Sequence, residues 1–310
     1  MPSFSYKVKE EILASVSSKD KADAVMLGIL TFANSLEDKK ILLLTENEKV
    51  KDFFILNTVR ICGEDSVIAT ESRKGRGQTL YSIEVIGEEN RLTLLEYFQT
   101  DSSRRLTPDE LPKEKFYPLV IAGAFLACGS VNDPLKKYHL EFVVPTLDLC
   151  NDLGLLLIES YGILCKHAER KGNNIVYLKE SENIIDMLTL MGATDCSIEL
   201  MNVKIEKDMR NKINRAVNCD NANIEKALRA SEKQISDIEL IDSVMGLSVL
   251  SDSLREIAVL RYENPDLNLT ELGEMLKPPI SRSGVNHRFA RIAKIADEIR
   301  ACRNKTEKQP

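Results

Sequence analysis

Residues 119–129, with the sequence LVIAGAFLACG, decide the fold of the larger part of the chain because their pattern occurs twice. A second copy, AVMLGILTFAN, spans residues 24–34 and sets Gly28 opposite Gly123. Both stretches are apolar and rich in small residues, which predicts two helices. A glycine within a helix lets a second backbone approach closely, so we expect the two helices to pack together about a pseudo-two-fold axis.

Each copy opens a repeat with the same order of predicted elements: a helix, a strand, a helix, two strands and a helix. The strands after the opening helices lie at residues 40–45 and 138–144, and the middle helices lie at residues 49–61 and 147–161. The segment between this strand and the middle helix leaves room for a further strand. We therefore predict an α+β domain at residues 1–200, with repeats at about residues 20–100 and 115–200.

The hairpin near the end of each repeat has a basic, glycine-containing tip. The basic residues are Arg73, Lys74, Arg76 and Lys171. Such tips either enter a groove of DNA or are simply solvated turns. The surrounding domain is acidic and would repel a polyanion, which favours solvated turns and a protein, a small ligand or another copy of the chain as the partner of this domain.

Residues 269–295, LTELGEMLKPPISRSGVNHRFARIAKI, predict two helices joined by a tight turn, the form of a helix-turn-helix DNA-binding motif. Asn268 or Thr270 can cap the first helix, prolines 278 and 279 end it, and Ser281 can cap the second. The second helix has an apolar stripe of Val285, Phe289, Ile292 and Ala296, and an upstream helix contributes Leu254, Ile257, Ala258 and Leu260. We place this domain at residues 251–303, with a tail at 304–310.

The polar side of the second helix supplies the candidate DNA contacts. The early residues of a recognition helix meet base edges, which nominates Arg282, Ser283, Asn286 and His287. Arg288, Arg291 and Lys294 are candidates for phosphates, as is Thr270 of the first helix. The alternative is an ordinary amphipathic helix whose late basic residues complement the helix dipole.

The charge of the chain is concentrated at its C-terminal end. Residues 277–310 contain 9 Lys and Arg and 3 Asp and Glu, a net charge of +6, whereas the whole chain carries −6. The remaining residues therefore carry −12. An acidic body repels nucleic acid and a basic end attracts it, so double-stranded DNA is expected to approach the C-terminal end with a salt-sensitive affinity.

Residues 201–250 are predicted to form a helical linker region in which basic residues alternate with asparagines. Arg210, Asn214 and Arg215 can donate hydrogen bonds to phosphates or bases, and they are candidates for secondary DNA contacts. Another use of the same donors is to clamp the two domains together, and a solvated helix with no ligand is the equal alternative to both.

Composition excludes several other classes of protein. The seven cysteines are scattered without a CxxC pair or a histidine at ligand spacing, which predicts reduced thiols, no structural metal and no cofactor. No run reaches the roughly 20 apolar residues of a membrane span, so we expect a cytoplasmic protein without a membrane partner.

The helix at residues 121–129, and more faintly the one at 26–34, resembles the paired signature helices of LAGLIDADG homing endonucleases. In that family the two helices pack together and carry a metal-binding acid near their ends. The matching positions here are Ala33 and Cys128, and neither side chain can hold the hard divalent cation that this cleavage chemistry requires. The resemblance therefore implies the fold without nuclease activity.

The combination of this degenerate fold with PPISRSGVNHR, residues 278–288, is similar to the WhiA family of bacterial regulators. SFSYKVKEE at the start and MRNKINRAVNCDNANIEKALRAS at residues 209–231 extend the resemblance over the whole chain. It implies a sequence-specific DNA-binding transcription factor of Gram-positive bacteria that is linked to sporulation, cell division or chromosome segregation and associates with the nucleoid.

Three functions follow from these features. The first is a non-enzymatic DNA-binding regulator, whose partners would include other regulators or division proteins. The second is an adaptor of the division machinery with incidental DNA binding, and the third is a nuclease with a relocated metal site. The operator, the sign of regulation and the oligomeric state do not follow from the sequence pattern.

Overall fold

The computed structural model describes residues 3–74, 78–106 and 113–306, and it divides the chain into two compact units. The first unit ends at Asp208 and the second begins at Met209. The predicted α+β class with a helical C-terminal part is confirmed.

The first unit contains the two predicted repeats, preceded by helix α1 (Phe4–Ala14). The first repeat consists of α2 (Lys19–Thr31), β1 (Ser35–Glu37), β2 (Lys40–Thr45), α3 (Glu48–Cys62), β3 (Val67–Lys74), β4 (Gln78–Val85) and α4 (Glu88–Phe98). The second repeat consists of α5 (Tyr117–Cys128), β5 (Gly129–Val131), β6 (Leu140–Val144), α6 (Leu147–Tyr161), β7 (Lys166–Arg170), β8 (Asn173–Leu178) and α7 (Ser181–Leu190). Element for element, the two repeats follow the same order.

Each repeat forms one antiparallel four-stranded sheet, ordered β1-β2-β4-β3 and β5-β6-β8-β7. The further strand of each repeat lies before the predicted first strand and not after it. In the first repeat the chain leaves α2 and immediately pairs Ser35 with Leu42 and Glu37 with Lys40. Strands β1 and β5 have three residues each, too few for an alternating pattern to reveal them.

Helices α2 and α5 pack directly against each other, as the two glycines predict. A Cβ atom on Gly28 would overlap the carbonyl oxygen of Val120, and one on Gly123 would overlap that of Val25. The contact is reciprocal, so the two backbones meet about a local pseudo-two-fold axis. All residues from Val120 to Leu126 are buried, which explains why this helix is apolar all round.

The second unit begins within α8 (Thr194–Met245), a single helix of 52 residues, and continues with α9 (Asp252–Glu263), α10 (Leu269–Met275) and α11 (Arg282–Thr306). Ile238 and Ile241 near the end of α8 are buried in the same core as Ile257, Leu272 and Phe289. The predicted covering helix is α9, since Leu254, Ile257 and Ala258 are all buried. Across the residues that the structure describes, no helix is long and apolar enough to cross a membrane.

Candidate nucleic-acid interface

The first helix of the motif, α10, is fixed by a capping box. Asn268 Oδ1 accepts hydrogen bonds from the backbone N–H groups of Thr270 and Glu271 at 2.8 and 3.2 Å, and Glu271 Oε2 accepts from the backbone of Asn268 at 2.8 Å. This reciprocal arrangement satisfies the free donors at the start of a short helix. It leaves the side chain of Thr270 exposed beside the motif.

The turn between α10 and α11 folds back closely on α10 because residue 273 is a glycine. The backbone N–H of Ile280 donates to the carbonyl oxygen of Gly273 at 3.0 Å, and a Cβ at Gly273 would overlap the carbonyl oxygen of Ile280. The backbone N–H of Gly284 then donates to Ser281 Oγ at 3.3 Å, which makes Ser281 the predicted cap of α11. The chain therefore reverses within a few residues, as a helix-turn-helix requires.

The apolar stripe of α11 packs into the core, which orients the rest of the helix. Val285, Phe289, Ile292 and Ala296 are all buried. The helix period then places the polar residues of the early turns on the outer side. The packing therefore settles which side of α11 is available to a ligand.

Six of the seven candidate contacts on α11 are exposed; four of them lie opposite the buried stripe, and Arg282 and Asn286 lie on one flank of it. The six are Arg282, Ser283, Asn286, His287, Arg291 and Lys294. Within the described ranges, none of these side chains forms a hydrogen bond or an ion pair with another residue. Their donors are therefore available for bases and phosphates.

Arg288 is placed differently from the other candidates. It is half-buried, one terminal nitrogen donates to the carbonyl oxygen of Ser253 at 3.1 Å, and the same nitrogen lies 3.9 Å from the carboxylate of Glu256. These contacts tie α11 to α9. A DNA phosphate would have to compete with them for this guanidinium.

Arg261 is a buried cation of the second unit that the sequence analysis did not identify. Its side chain lies inside the domain at 2% exposure, where Nε donates to Gln234 Oε1 at 3.0 Å and a terminal nitrogen donates to the carbonyl oxygen of Leu267 at 2.6 Å. Burial lowers the pKa of this guanidinium. A signal was present, because residue 261 continues the buried positions 254, 257 and 258 at helical spacing.

The candidate secondary contacts lie in the exposed middle of α8. Arg210, Asn214 and Arg215 are exposed side chains on a stretch of helix that contacts little else. They are not brought together with the outer side of α11 by any described contact. Their assignment stays a prediction.

Neither of the two positions that would carry acids in a metal-dependent nuclease offers a ligand for a metal ion. Ala33 is buried, and its carbonyl oxygen accepts a hydrogen bond from Arg104 at 2.5 Å. Burial raises the pKa of the Cys128 thiol to about 12, which keeps it protonated. Cys128 and Lys9 line one cleft of the first unit, and the Lys9 ammonium donates to the carbonyl oxygen of Leu126 at 3.0 Å.

This donor set does not fit a divalent metal. A protonated thiol is a poor ligand, and an ammonium group repels a cation. Burial lowers the pKa of Lys9 to about 8, so the ammonium is present at neutral pH. Within the described residues, no group of three or more His, Cys, Asp or Glu side chains is arranged to hold a metal ion.

The structure describes the two hairpin tips only in part. Arg73 and Lys171 are exposed, and Lys171 lies in a left-handed conformation at φ of 52°, which is typical of a tight turn. Arg76 lies outside the described residues. That these tips are solvated turns stays a prediction.

Two family models match the chain: residues 213–296 match the WhiA C-terminal HTH domain, and residues 118–210 match the WhiA LAGLIDADG-like domain. The "Probable cell division protein WhiA" of Clostridium acetobutylicum is 38% identical over 320 residues, covering 96% of this chain and 98% of the relative. The protein of the same name from Clostridium novyi is 37% identical with the same coverage. Full-length WhiA from Thermatoga maritima shares the fold with a TM-score of 0.56 at 22% identity, covering 96% of this chain and 99% of that chain.

Proposed function

Since the chain belongs to the WhiA family, we propose that it is a sequence-specific DNA-binding transcriptional regulator that acts without catalysis. The observation that carries this proposal is the outer side of α11. It combines exposed, unpaired donors with a rigid attachment through the buried stripe at Val285, Phe289 and Ile292. Preorganised donors on a helix are what a major-groove reader needs.

The residues of this side take two roles in the proposal. Arg282, Ser283, Asn286 and His287 read base edges, because they stand in the first two turns of α11. Arg291 and Lys294, further along, hold phosphates together with Thr270 at the start of α10. Phosphate contacts fix the register of the helix on the duplex, and base contacts select the sequence.

The first unit serves as a scaffold and a partner-binding domain in this proposal. Its two signature helices retain their packing, while Ala33 and Cys128 replace the acids that cleavage needs. The nuclease alternative would need metal ligands at these two positions, and neither residue supplies one. The acidic charge of the unit suits a protein partner better than a second stretch of DNA.

The biological setting follows from the relatives. Two of them bear the name "Probable cell division protein WhiA", so we place this chain in the control of cell division, chromosome segregation or sporulation, in the cytoplasm and on the nucleoid. The second candidate is an adaptor of the division machinery with incidental DNA binding. The first unit favours this second candidate, because a domain of this size with its own hydrophobic core offers a large surface to other proteins.

Genome-wide mapping of bound sites tests the proposal. Cells that carry the intact chain should show discrete sites at promoters, and an Arg282→Ala/Asn286→Ala double variant should lose them at equal protein level. A chain truncated near Ser251 that still performs the cellular role would support the adaptor instead. Magnesium-dependent cleavage by the purified protein, abolished by one carboxylate substitution, would establish the nuclease.

A further inference from the structure

A polar cleft lies in the second unit between the middle of α8 and the helix-turn-helix motif. Its volume is about 620 Å³. Asn223 and Lys226 line it from α8, Thr270 and Arg282 line it from the motif, and Arg261 contributes to its wall. Arg282 therefore belongs both to this cleft and to the side of α11 that we assign to base recognition.

The charge of the cleft has one sign. Three of its twelve lining residues are cationic and none is acidic. Buried Arg261 has neutral hydrogen-bond partners, the amide of Gln234 and the carbonyl oxygens of Asn264, Pro265 and Leu267. In the described part of the chain, no carboxylate lies within ion-pair distance of this guanidinium. A buried charge without a counter-charge raises the positive potential of the space next to it.

The open space results from small side chains on one side of α8. Ala227 and Ala230 line the cleft beside Lys226. At about 100° per residue, these positions share one side of the helix. Lys226 is exposed and, among the described residues, forms no ion pair, whereas Arg229, about 60° from it around α8 and further from the cleft, pairs with Glu225 at 3.5 Å. The side chain of Lys226 is therefore free to reach a ligand in the cleft.

We propose that this cleft binds a backbone phosphate of the DNA that α11 reads, with Lys226 as the contact from α8. The inference rests on the proposed function and adds a third helix to the interface. A phosphate suits the site because cationic groups surround it and the side chains of Asn223 and Thr270 can donate hydrogen bonds. The bound phosphate would fix the end of α11 that carries Arg282, and so the register of base recognition.

The proposal also separates the candidate contacts further along α8. Measured from the centre of the cleft, Arg215 lies about 90° around α8, on the side of Lys226, whereas Arg210 lies about 130° away. A DNA backbone that occupies the cleft can continue toward Arg215 and not toward Arg210. Substitution of Arg215 should therefore weaken binding more than substitution of Arg210.

The salt dependence of DNA binding by the full chain tests the role of Lys226. For Lys226→Ala we expect an affinity several-fold weaker, a slope of log affinity against log salt that is smaller by about 1, and unchanged preference between sites. Arg229→Ala removes the same charge from the same helix about 130° from the centre of the cleft, so its slope should equal that of the wild type. Equal slopes for wild type and Lys226→Ala would overturn the proposal.

A second pair of variants tests the cleft itself without removing a contact. Ala230→Glu places a carboxylate in the cleft and should weaken DNA binding about tenfold or more through repulsion of the phosphate. Asn221→Glu adds the same charge about 150° around α8 and should have a much smaller effect. Both positions are exposed, so both variants should keep the thermal unfolding midpoint of the wild type.

The results distinguish this inference from the function on which it rests. If Lys226→Ala and Ala230→Glu bind as the wild type does while Arg282→Ala loses site preference, the cleft proposal is wrong and DNA recognition by α11 stands. If the wild type shows no preference for any DNA site, the proposed function is wrong and the cleft proposal with it. Equal weakening by Ala230→Glu and Asn221→Glu would also contradict the cleft, since it would reflect net charge alone.

Discussion

The polar groups near Cys128 in the first unit and those on the outer side of α11 differ in what they contact. In the first unit, Lys9 donates to the carbonyl oxygen of Leu126, and Asn34 Oδ1 accepts from the backbone of Leu44 at 2.7 Å. On α11, Asn286 and Lys294 face solvent without a partner in the described part of the chain. The first region is satisfied internally, and the second offers its donors to a ligand.

This difference shows that a fold and its chemistry depend on different residues. The pairing of α2 with α5 requires Gly28 and Gly123, because any Cβ at these positions meets backbone. Metal-dependent cleavage would require acids at the helix ends instead, and those positions hold Ala33 and Cys128. The scaffold therefore forms without acids at these positions, and we propose that the second unit reads DNA.

The largest expected effect comes from disturbing the helix pair. Gly123→Ala should lower the free energy of unfolding of the first unit by about 3 kcal/mol, because the added methyl meets the backbone of α2 and neither helix can move freely. Urea unfolding measures this. Gly284→Ala is the matched control: its Cβ meets only the side chain of Ile280 at ordinary distances, and alanine is the better helix former. An unchanged unfolding curve for Gly123→Ala would contradict the packing account.

The next effect concerns base recognition by α11. Arg282→Ala and Asn286→Ala should each reduce the free-energy preference for a specific site by about 1 to 3 kcal/mol. Lys294→Ala, which removes a phosphate contact, should weaken binding to specific and nonspecific DNA alike. Competition titrations with the two kinds of DNA separate these results. Equal losses of preference in all three variants would contradict the assignment of base contacts to Arg282 and Asn286 and of a phosphate contact to Lys294.

Arg288 differs from the other basic residues of α11 because its guanidinium contacts α9. Because it is tied to Ser253 and Glu256, Arg288→Ala should lower the free energy of unfolding of the second unit by about 1 kcal/mol. Its effect on DNA affinity should be smaller than that of Arg291→Ala. The reverse order, with a full phosphate effect and unchanged stability, would show that the guanidinium leaves α9 when DNA binds.

The smallest effect is a pH dependence that arises in the first unit. The pKa of Lys9 is about 8 in the folded chain against an ordinary value of 10.5, so above pH 8 the unfolded chain binds more protons and stability from this group rises with pH. Wild type should gain about 1 kcal/mol relative to Lys9→Met between pH 8 and pH 9. The Cys128 thiol stays protonated in both folded proteins in this range, because its pKa is about 12 beside Lys9 and loss of the ammonium raises it further. A constant difference between the two unfolding free energies would contradict burial of this ammonium.

Much of this architecture could be predicted from sequence because its signals are periodic. The buried stripe of α11, the hairpin at Lys171 and the bounds of α6 at Leu147–Tyr161 all follow from spacing and turn residues. The short strands β1 and β5 could not be placed, since three residues carry no periodicity and their pairing is decided by the adjacent strand.

The interface was predictable only where exposure follows from helix period. That period places Arg282 and Asn286 on one flank of the buried stripe of α11, but it does not predict a contact such as that of Arg288 with α9. Lys226 and Arg261 line the same cleft although they are 35 residues apart in sequence. Tertiary packing brings such residues together, and the pattern of a single helix does not predict it.

The most direct test of the account measures the ratio of specific to nonspecific DNA affinity for three full-length proteins at one salt concentration. They are the wild type, Arg282→Ala/Asn286→Ala in α11, and Lys9→Met/Cys128→Ala in the first unit. We expect the α11 variant to lose about tenfold or more of this ratio and the first-unit variant to keep the wild-type value. A preserved ratio in the α11 variant, with loss in the first-unit variant, would contradict the assignment of recognition to α11.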